Sequence, residues 1–198
     1  MRITQWISSL SDQHPDIPTH YIGNDSGTWR IQRTPIGTFI LPWPTIQPPQ
    51  DYPVSTEPMV AHFTLSIPKM PRHLLLQITQ DFQQALPHEC LINVVWDSAY
   101  HGHRLDKPPQ DTSPSTVFIP DPGDPYDARR PRVLQIHSHG VFPAFFSDTD
   151  DADEQATGFY AVMGLLNTPQ PVTRLRLSVA GRFWTLPLSA IFQDHDGA

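Results

Sequence analysis

The stretch HSHGVFPAFFSDTDDADE, residues 137–154, places two histidines, two serines and five carboxylates around a short apolar loop. An apolar run leads into it and predicts a strand, so His137 and His139, two residues apart, point to the same face. The acidic end predicts the start of a helix, in which Ser147 and Asp150, three residues apart, share a face. Two imidazoles and one carboxylate are a common zinc ligand set that leaves a fourth position for water. The stretch therefore predicts a strand, loop and helix built around a metal ion.

An ordinary helix start with unrelated histidines beside it is the alternative interpretation of this stretch. Ser147 or Thr149 can act as an N-cap, and carboxylates in a first turn favour the positive end of the helix dipole. This preference explains Asp150, but it does not explain two histidines on one strand face. The combination of residue types favours the metal site.

A second His-x-His pair, His101-Gly102-His103, serves as an internal comparison. Asp111 stands eight residues after His103, and no Ser-x-x-Asp follows at the required spacing. We interpret this pair as part of a surface or edge-strand segment. The other histidines have no partners at ligand spacing and are interpreted as ordinary: His14, His20, His62, His73, His88 and His195.

The composition limits the class of protein. The 198 residues contain 13 Lys+Arg and 20 Asp+Glu, giving a net charge of −7, and they form no basic run, so a nucleic-acid partner is not expected. Cys90 is the single cysteine, which excludes an internal disulfide and indicates a reducing compartment; we interpret it as a small buried residue. No apolar segment approaches the roughly 18 residues of a membrane span. We expect a soluble cytoplasmic protein with no membrane contact.

The chain contains two regions that differ in composition and hydrophobic pattern. Residues 1–70 are predicted to form a β-rich N-terminal accessory region with a proline-rich connector, in which TWRIQR (28–33) and TFIL (38–41) form a hairpin. Residues 71–198 combine a helical pattern with apolar runs that predict buried strands. This order of elements predicts a mixed α/β (α+β) domain, with a mixed β-sheet flanked by helices.

Within the second region, periodicity predicts the individual elements. A helix is expected at 72–86, and strands are expected at 90–96, 132–139, 158–166 and 174–181. The last strand alternates polar and apolar residues, which predicts one solvated face. The proline-rich residues 106–131 contain a possible strand, STVFI (115–119), and the remainder is predicted to form a long, mobile surface insertion.

A hydrolytic metal site also needs a group that moves protons. The chain has three glutamates. Glu57 lies in the proline-rich connector, and Glu154 is expected to point along the acidic helix start. Glu89 lies between Pro87 and a buried strand, where partial burial would raise its pKa and suit it to proton transfer. A surface carboxylate at the end of a helix is the alternative for Glu89.

Glu89 and the residues from His137 to Asp150 together resemble the signature of a known family. Glu89, followed 48 residues later by His137-x-His139-x7-Ser147-x-x-Asp150, resembles the JAMM signature of the JAB/MPN metalloproteases. The resemblance covers about 71–198. More narrowly, IHSHGVFPAFFSDTDDADE, YHGHRLDKPPQ and the proline-rich start are most similar to the PRTRC system protein A group, which is encoded on mobile elements beside a ThiF-like activating enzyme. The sequence departs from the family pattern just after Glu89, where CLI stands in place of small, glycine-containing segments.

The resemblance implies a JAB/MPN-like (cytidine-deaminase-like) central mixed sheet flanked by helices. It also implies that His137, His139 and Asp150 bind Zn²⁺ and that Glu89 transfers protons. Ser147 would donate a hydrogen bond to the oxyanion that forms during the reaction.

The function implied is that of a zinc-dependent hydrolase. Such a metallo-isopeptidase or peptidase would cleave an amide or isopeptide bond at the C-terminal tail of a ubiquitin-like or sulfur-carrier-like protein. We expect the tail to pair with an exposed strand edge beside the site, and a ThiF-like activating enzyme is a second expected partner. The alternative is a non-catalytic JAB/MPN-type scaffold or binding module. A zinc deaminase is disfavoured because it needs a Cys-x-x-Cys arm.

Overall fold

The computed structural model describes residues 4–194, and the chain divides into two compact units at Ile67 and Pro68. This division lies three residues before the boundary drawn from the sequence. His195, one of the histidines interpreted as ordinary, lies outside the described residues. Within residues 4–194, no helix has the length and apolar character needed to cross a bilayer.

The first unit contains a five-stranded sheet in the order β1-β2-β3-β4-β5. Its strands are β1 (Thr4–Trp6), β2 (Thr19–Asn24), β3 (Gly27–Thr34), β4 (Gly37–Pro42) and β5 (His62–Leu65). The β1–β2 pair is parallel and the other pairs are antiparallel. The expected hairpin is β3–β4, whereas β1 and β2 were not predicted. The core of this unit is a cluster of buried apolar side chains: Ile7, Ile22, Trp29, Ile31 and Ile40.

The second unit contains a six-stranded sheet in the order β13-β12-β11-β10-β6-β7, together with a separate two-stranded sheet. Its elements are α1 (Arg72–Ala85), β6 (Leu91–Asp97), β7 (Gly102–Asp106), β8 (Asp111–Thr112), β9 (Val117–Phe118), β10 (Arg132–Ser138), α2 (Asp148–Asp153), β11 (Gly158–Gly164), β12 (Val172–Val179) and β13 (Arg182–Leu186). Strands β10 and β11 run parallel, and every other pair in the six-stranded sheet is antiparallel. The fold is therefore a mixed α/β arrangement with few helices, as the sequence predicts.

One face of the six-stranded sheet packs against α1. The helix follows Pro71 and buries Leu74, Ile78 and Phe82 at a four-residue spacing, which is the apolar stripe of an amphipathic helix. The Thr79 hydroxyl lies 3.5 Å from the sulfur of Met163 on β11, which identifies the face that α1 covers. The opposite face carries polar side chains and is the one on which the candidate site lies.

The expectation of a solvated face on β12 is wrong for the second half of the strand. Arg176 is only 5% exposed and Ser178 is fully buried. The reason is that Glu154, at the end of α2, lies over them: Ser178 Oγ donates to the Glu154 carbonyl oxygen over 2.6 Å. An alternating pattern identifies the polar face of a strand, but it does not show whether a later element covers that face.

Candidate metal centre

The two histidines of the opening stretch lie at the end of β10. His137 is in register with Leu91 of β6 on one side and with Val162 of β11 on the other. His139 lies one residue beyond the strand, and its backbone N–H donates to the Met163 carbonyl oxygen over 2.8 Å. The two imidazoles share one space, as expected of strand residues at i and i+2.

Asp150 reaches the same space from α2. Its N–H donates to Ser147 Oγ over 3.2 Å, and its Oδ2 accepts from the backbone N–H of Ser147 at 2.6 Å and from the Ser147 hydroxyl at 2.7 Å. This reciprocal arrangement is a capping box with Ser147 as the N-cap. The N-cap interpretation and the metal-site interpretation therefore apply to the same residues at once, because Oδ2 caps the helix while Oδ1 faces His137.

The three candidate ligands converge. His137 Nε2 lies 3.1 Å from His139 Nε2 and 3.3 Å from Asp150 Oδ1. All three ligand atoms lie within 4.8 Å of one another. Zinc–nitrogen bonds of about 2.0–2.1 Å in a tetrahedral site place neighbouring ligand atoms roughly 3.3 Å apart. The spacing and the donor types therefore fit a small divalent cation.

Burial keeps the two imidazoles in the state that binds metal. Desolvation lowers the pKa of His137 to about 4, against the opposing effect of the Asp150 charge. Desolvation also lowers the pKa of His139, opposed by Asp150 and by a hydrogen bond with the Pro143 carbonyl. Both rings are therefore neutral near pH 7 and offer a nitrogen lone pair. The rings of Phe145 and His139 pack edge to face, with the ring centroids 4.7 Å apart.

The loop between His139 and α2 is held firmly at its base. The Phe142 carbonyl accepts from the Leu165 N–H over 2.8 Å, and the Ala144 carbonyl accepts from Arg174 Nε over 2.8 Å. Gly164 at the end of β11 allows this close approach, because a Cβ there would lie 2.5 Å from the Ala144 nitrogen. The loop nevertheless exposes about half of three apolar side chains beside the site: Val141, Phe142 and Phe145.

Glu89 lies two residues before β6, at the same end of the sheet as His137. It is 8% exposed, so the burial expected from the sequence is observed. Desolvation, together with the negative charge of Asp150, raises the pKa of Glu89 to about 7. The backbone around it is fixed, because the Cys90 N–H donates to Ser138 Oγ over 2.9 Å. Cys90 itself is half-buried, so it is more exposed than the small buried residue expected from the sequence.

The strand edge beside Glu89 is not open, contrary to the expectation of a free edge for a substrate tail. The Gln110 side-chain amide accepts from the Leu91 N–H over 2.8 Å and donates to the Leu91 carbonyl over 3.0 Å. The Glu89 N–H donates to the Ser113 carbonyl over 2.8 Å. The insertion therefore covers this edge, since unpaired strand groups need hydrogen-bonding partners.

The comparison pair lies elsewhere on the sheet. His103 is on the edge strand β7 and packs against Trp96, with ring centroids 5.0 Å apart, while His101 is exposed in the preceding turn. Among residues 4–194, the one group of three potential ligands that converges is His137, His139 and Asp150.

Sequence reasoning missed two residues next to the centre. Glu154 does not point along the helix start: it is 5% exposed, and its Oε2 accepts from Arg176 Nε over 2.7 Å. Burial raises the pKa of Glu154, and the hydrogen bond from Arg176 opposes that rise. The second missed residue is Arg176 itself. Its only sequence signal is an arginine at a polar position of the alternating strand RLRLSV, and its partner Glu154 lies 22 residues earlier in the chain.

Comparison with known families agrees with this geometry. The model of the family described as prokaryotic homologs of the JAB domain matches residues 71–178, which is more than half of the chain. The chain belongs to this family. The matched part of the JAB domain extends from α1 to β12 and contains Glu89, His137, His139, Ser147 and Asp150.

Two other comparisons add little to the JAB assignment. Among solved structures, the solution structure of protein DSY2949 from Desulfitobacterium hafniense is similar, with a TM-score of 0.46 and 19% identity. The match covers 59% of this chain and 88% of that one. No curated protein matches the chain. Membership of the JAB family is compatible with either a hydrolytic or a scaffold role.

Proposed function

We propose that this protein is a zinc-dependent hydrolase of the JAMM type that cleaves an amide or isopeptide bond. The observation that carries the proposal is the convergence of two neutral imidazoles and one carboxylate, with a second, protonatable carboxyl at the same end of the sheet. A site that merely stabilises the fold needs no such group, whereas hydrolysis of an amide needs both a base and an acid.

His137, His139 and Asp150 would hold the metal. A bound Zn²⁺ supplies Lewis acidity, which polarises the scissile carbonyl and makes water more acidic. Imidazole and carboxylate ligands accept several first-row metals, so zinc is part of the proposal and rests on ligand type and family.

Glu89 is the proposed proton carrier. With its pKa near 7, it exchanges a proton readily at neutral pH. It would accept a proton from the attacking water and deliver one to the departing nitrogen. Ser147 is the proposed hydrogen-bond donor to the oxyanion. Its hydroxyl now donates to Asp150 Oδ2, so this role requires the hydroxyl to turn towards the substrate.

The proposed substrate is the C-terminal tail of a ubiquitin-like or sulfur-carrier-like protein. The resemblance to the PRTRC system protein A group supports this choice and suggests a ThiF-like activating enzyme as a further partner. Because Gln110 covers the β6 edge, the tail would either displace that side chain or lie along the exposed apolar residues Val141, Phe142 and Phe145.

The test uses the purified full-length protein and a fusion to a ubiquitin-like protein encoded nearby. We expect zinc in the wild-type protein and cleavage of the fusion. Glu89→Gln should reduce the rate by about 100-fold or more, the usual contribution of a general base. Glu57→Gln is the matched control, because Glu57 belongs to the other unit. Full activity in Glu89→Gln would overturn the role of Glu89.

A scaffold function remains the second candidate, because a complete five-stranded sheet precedes the JAB domain and offers surface for assembly. A metal-free protein with an unchanged fold, no cleavage and intact partner binding would favour this candidate.

A further inference from the structure

The helix that carries Asp150 has no apolar means of attachment. α2 is six residues long and contains no buried residue. Isolated helices of this length are unstable in water, and helices in proteins are normally held by packing of an apolar face. Asp150 must nevertheless keep its Oδ1 within 3.3 Å of His137 Nε2 for the three ligands to converge. Another interaction must therefore hold α2 in place.

Arg176 on β12 supplies two charged contacts to α2 and its C-cap. Its Nη1 donates to Asp151 Oδ1 over 2.5 Å, and its Nε donates to Glu154 Oε2 over 2.7 Å. Asp151 directly follows the candidate ligand, and Glu154 is the C-cap of the helix. Arg176 itself is 5% exposed. The contact with Glu154 is buried, whereas the Asp151 side chain is 51% exposed. Charge-assisted hydrogen bonds are short and strong, so the two contacts together fix both the position and the rotation of the helix.

Arg176 also fixes the chain just before the helix. Its guanidinium stacks on the ring of Phe146 at 3.9 Å and on the ring of Phe183 at 3.8 Å. Phe146 directly precedes the N-cap Ser147. Arg176 therefore contacts the chain on both sides of the Ser147–Asp150 pair. A planar guanidinium can stack and form forked hydrogen bonds at the same time, whereas a lysine ammonium cannot.

We propose that Arg176 is a positioning residue of the metal centre, holding Asp150 in place through Asp151, Glu154 and Phe146. Its hydrogen bonds go to Asp151 and Glu154 and not to the candidate ligands, so it acts on the centre through α2. The inference rests on the proposed metal site and adds a residue that the ligand motif does not contain. Losing an outer-shell partner of this kind typically weakens metal affinity about 10–100-fold.

The test compares Arg176→Met and Arg176→Lys with the wild type and with Arg132→Met. Arg132 is a suitable control because it also packs on an aromatic ring of the sheet, that of Tyr160, but it lies at the opposite end of β10. Zinc affinity is measured by competition with a chelator, and ligand geometry by the visible absorption of the Co²⁺-loaded protein. Folding is checked by circular dichroism.

We expect both Arg176 variants to bind zinc about 10–100-fold more weakly and to show an altered Co²⁺ spectrum, while Arg132→Met matches the wild type in both measurements. If Arg176→Met does not fold, Arg176→Lys carries the test. Folded Arg176 variants with wild-type affinity and spectrum would overturn the positioning role alone. A wild-type protein that binds no zinc would overturn the proposed function as well.

A second measurement does not depend on metal. In the chelator-treated protein, the amides of residues 148–153 should exchange with solvent faster in Arg176→Lys than in Arg132→Met. Equal exchange in the two variants would show that Arg176 does not hold α2.

Discussion

Replacing Glu89 with glutamine removes a buried ionisable group and keeps nearly the same shape. In the folded protein, burial and the Asp150 charge raise the pKa of this group from 4.5 to about 7. Each unit of pKa shift corresponds to about 1.4 kcal/mol, so the upper limit of the effect is roughly 3.4 kcal/mol. Solvent screening and relaxation around the site reduce this to about 1–2 kcal/mol.

The sign of the effect follows from the raised pKa. A carboxyl whose folded pKa exceeds its unfolded pKa favours folding while it is protonated, and it loses that contribution as the pH rises from 4.5 through about 7. Glutamine does not titrate. The free energy of unfolding of Glu89→Gln should therefore rise relative to the wild type by about 1–2 kcal/mol between about pH 5 and pH 8.

The assay is urea unfolding of the chelator-treated, full-length proteins at these two pH values. Glu57→Gln is an informative control, because hydrogen bonds from Ser9 and from the Leu10 N–H lower the pKa of Glu57. That substitution should destabilise the protein equally at both pH values, since the contribution of Glu57 is lost only below its unfolded pKa.

Zinc provides an internal check, because a nearby cation favours the charged form of Glu89. Saturating zinc should reduce the pH dependence of the Glu89→Gln effect. The reasoning is refuted if Glu89→Gln changes the free energy of unfolding by the same amount at both pH values in the chelated protein.

Three other changes test separate parts of the second unit. Gly164→Ala should displace the loop at Pro143 and Ala144, because its Cβ would lie 2.6 Å from the Pro143 carbonyl carbon. We expect about 1–3 kcal/mol of destabilisation in urea unfolding and weaker zinc binding. A variant with unchanged stability and zinc affinity would exclude the clash. Gln110→Ala should speed hydrogen exchange of the Leu91 amide with solvent by about 10-fold, because the Gln110 side chain accepts the hydrogen bond from that N–H. Unchanged exchange would mean that the β6 edge is protected in another way. Asp97→Ala should lower the free energy of unfolding in urea by about 1–3 kcal/mol, because Asp97 is 2% exposed and lies 3.6 Å from Arg104 and 3.4 Å from Arg130. An unchanged free energy of unfolding would show that solvent satisfies both arginines.

The local parts of the fold and of the site follow from sequence patterns. The run leading into His137 predicts β10 because strand periodicity is two, and the Ser147–Asp150 spacing predicts the capped start of α2. Glu89 could be singled out because a carboxylate between a proline and an apolar strand has no ordinary structural reason to be there. Each of these inferences depends on residues that are near one another in the chain.

The parts that could not be predicted depend on contacts between distant segments. Arg176 is paired with Asp151, which lies 25 residues before it, and the alternation of β12 alone favours a solvated arginine. Gln110 closes the β6 edge with its side chain, and no periodicity marks a side chain that replaces a strand. β2 was missed because His20 and Thr19 are polar yet buried, which composition does not reveal.

The most direct test of the account is a crystal structure of the zinc-loaded protein with anomalous diffraction data collected at the zinc absorption edge. We predict one strong peak, bonded to His137, His139 and Asp150, with the Glu89 carboxyl facing it. A peak at His101 and His103 instead, or no peak between the three ligands at saturating zinc, would contradict the metal centre and the hydrolase built on it.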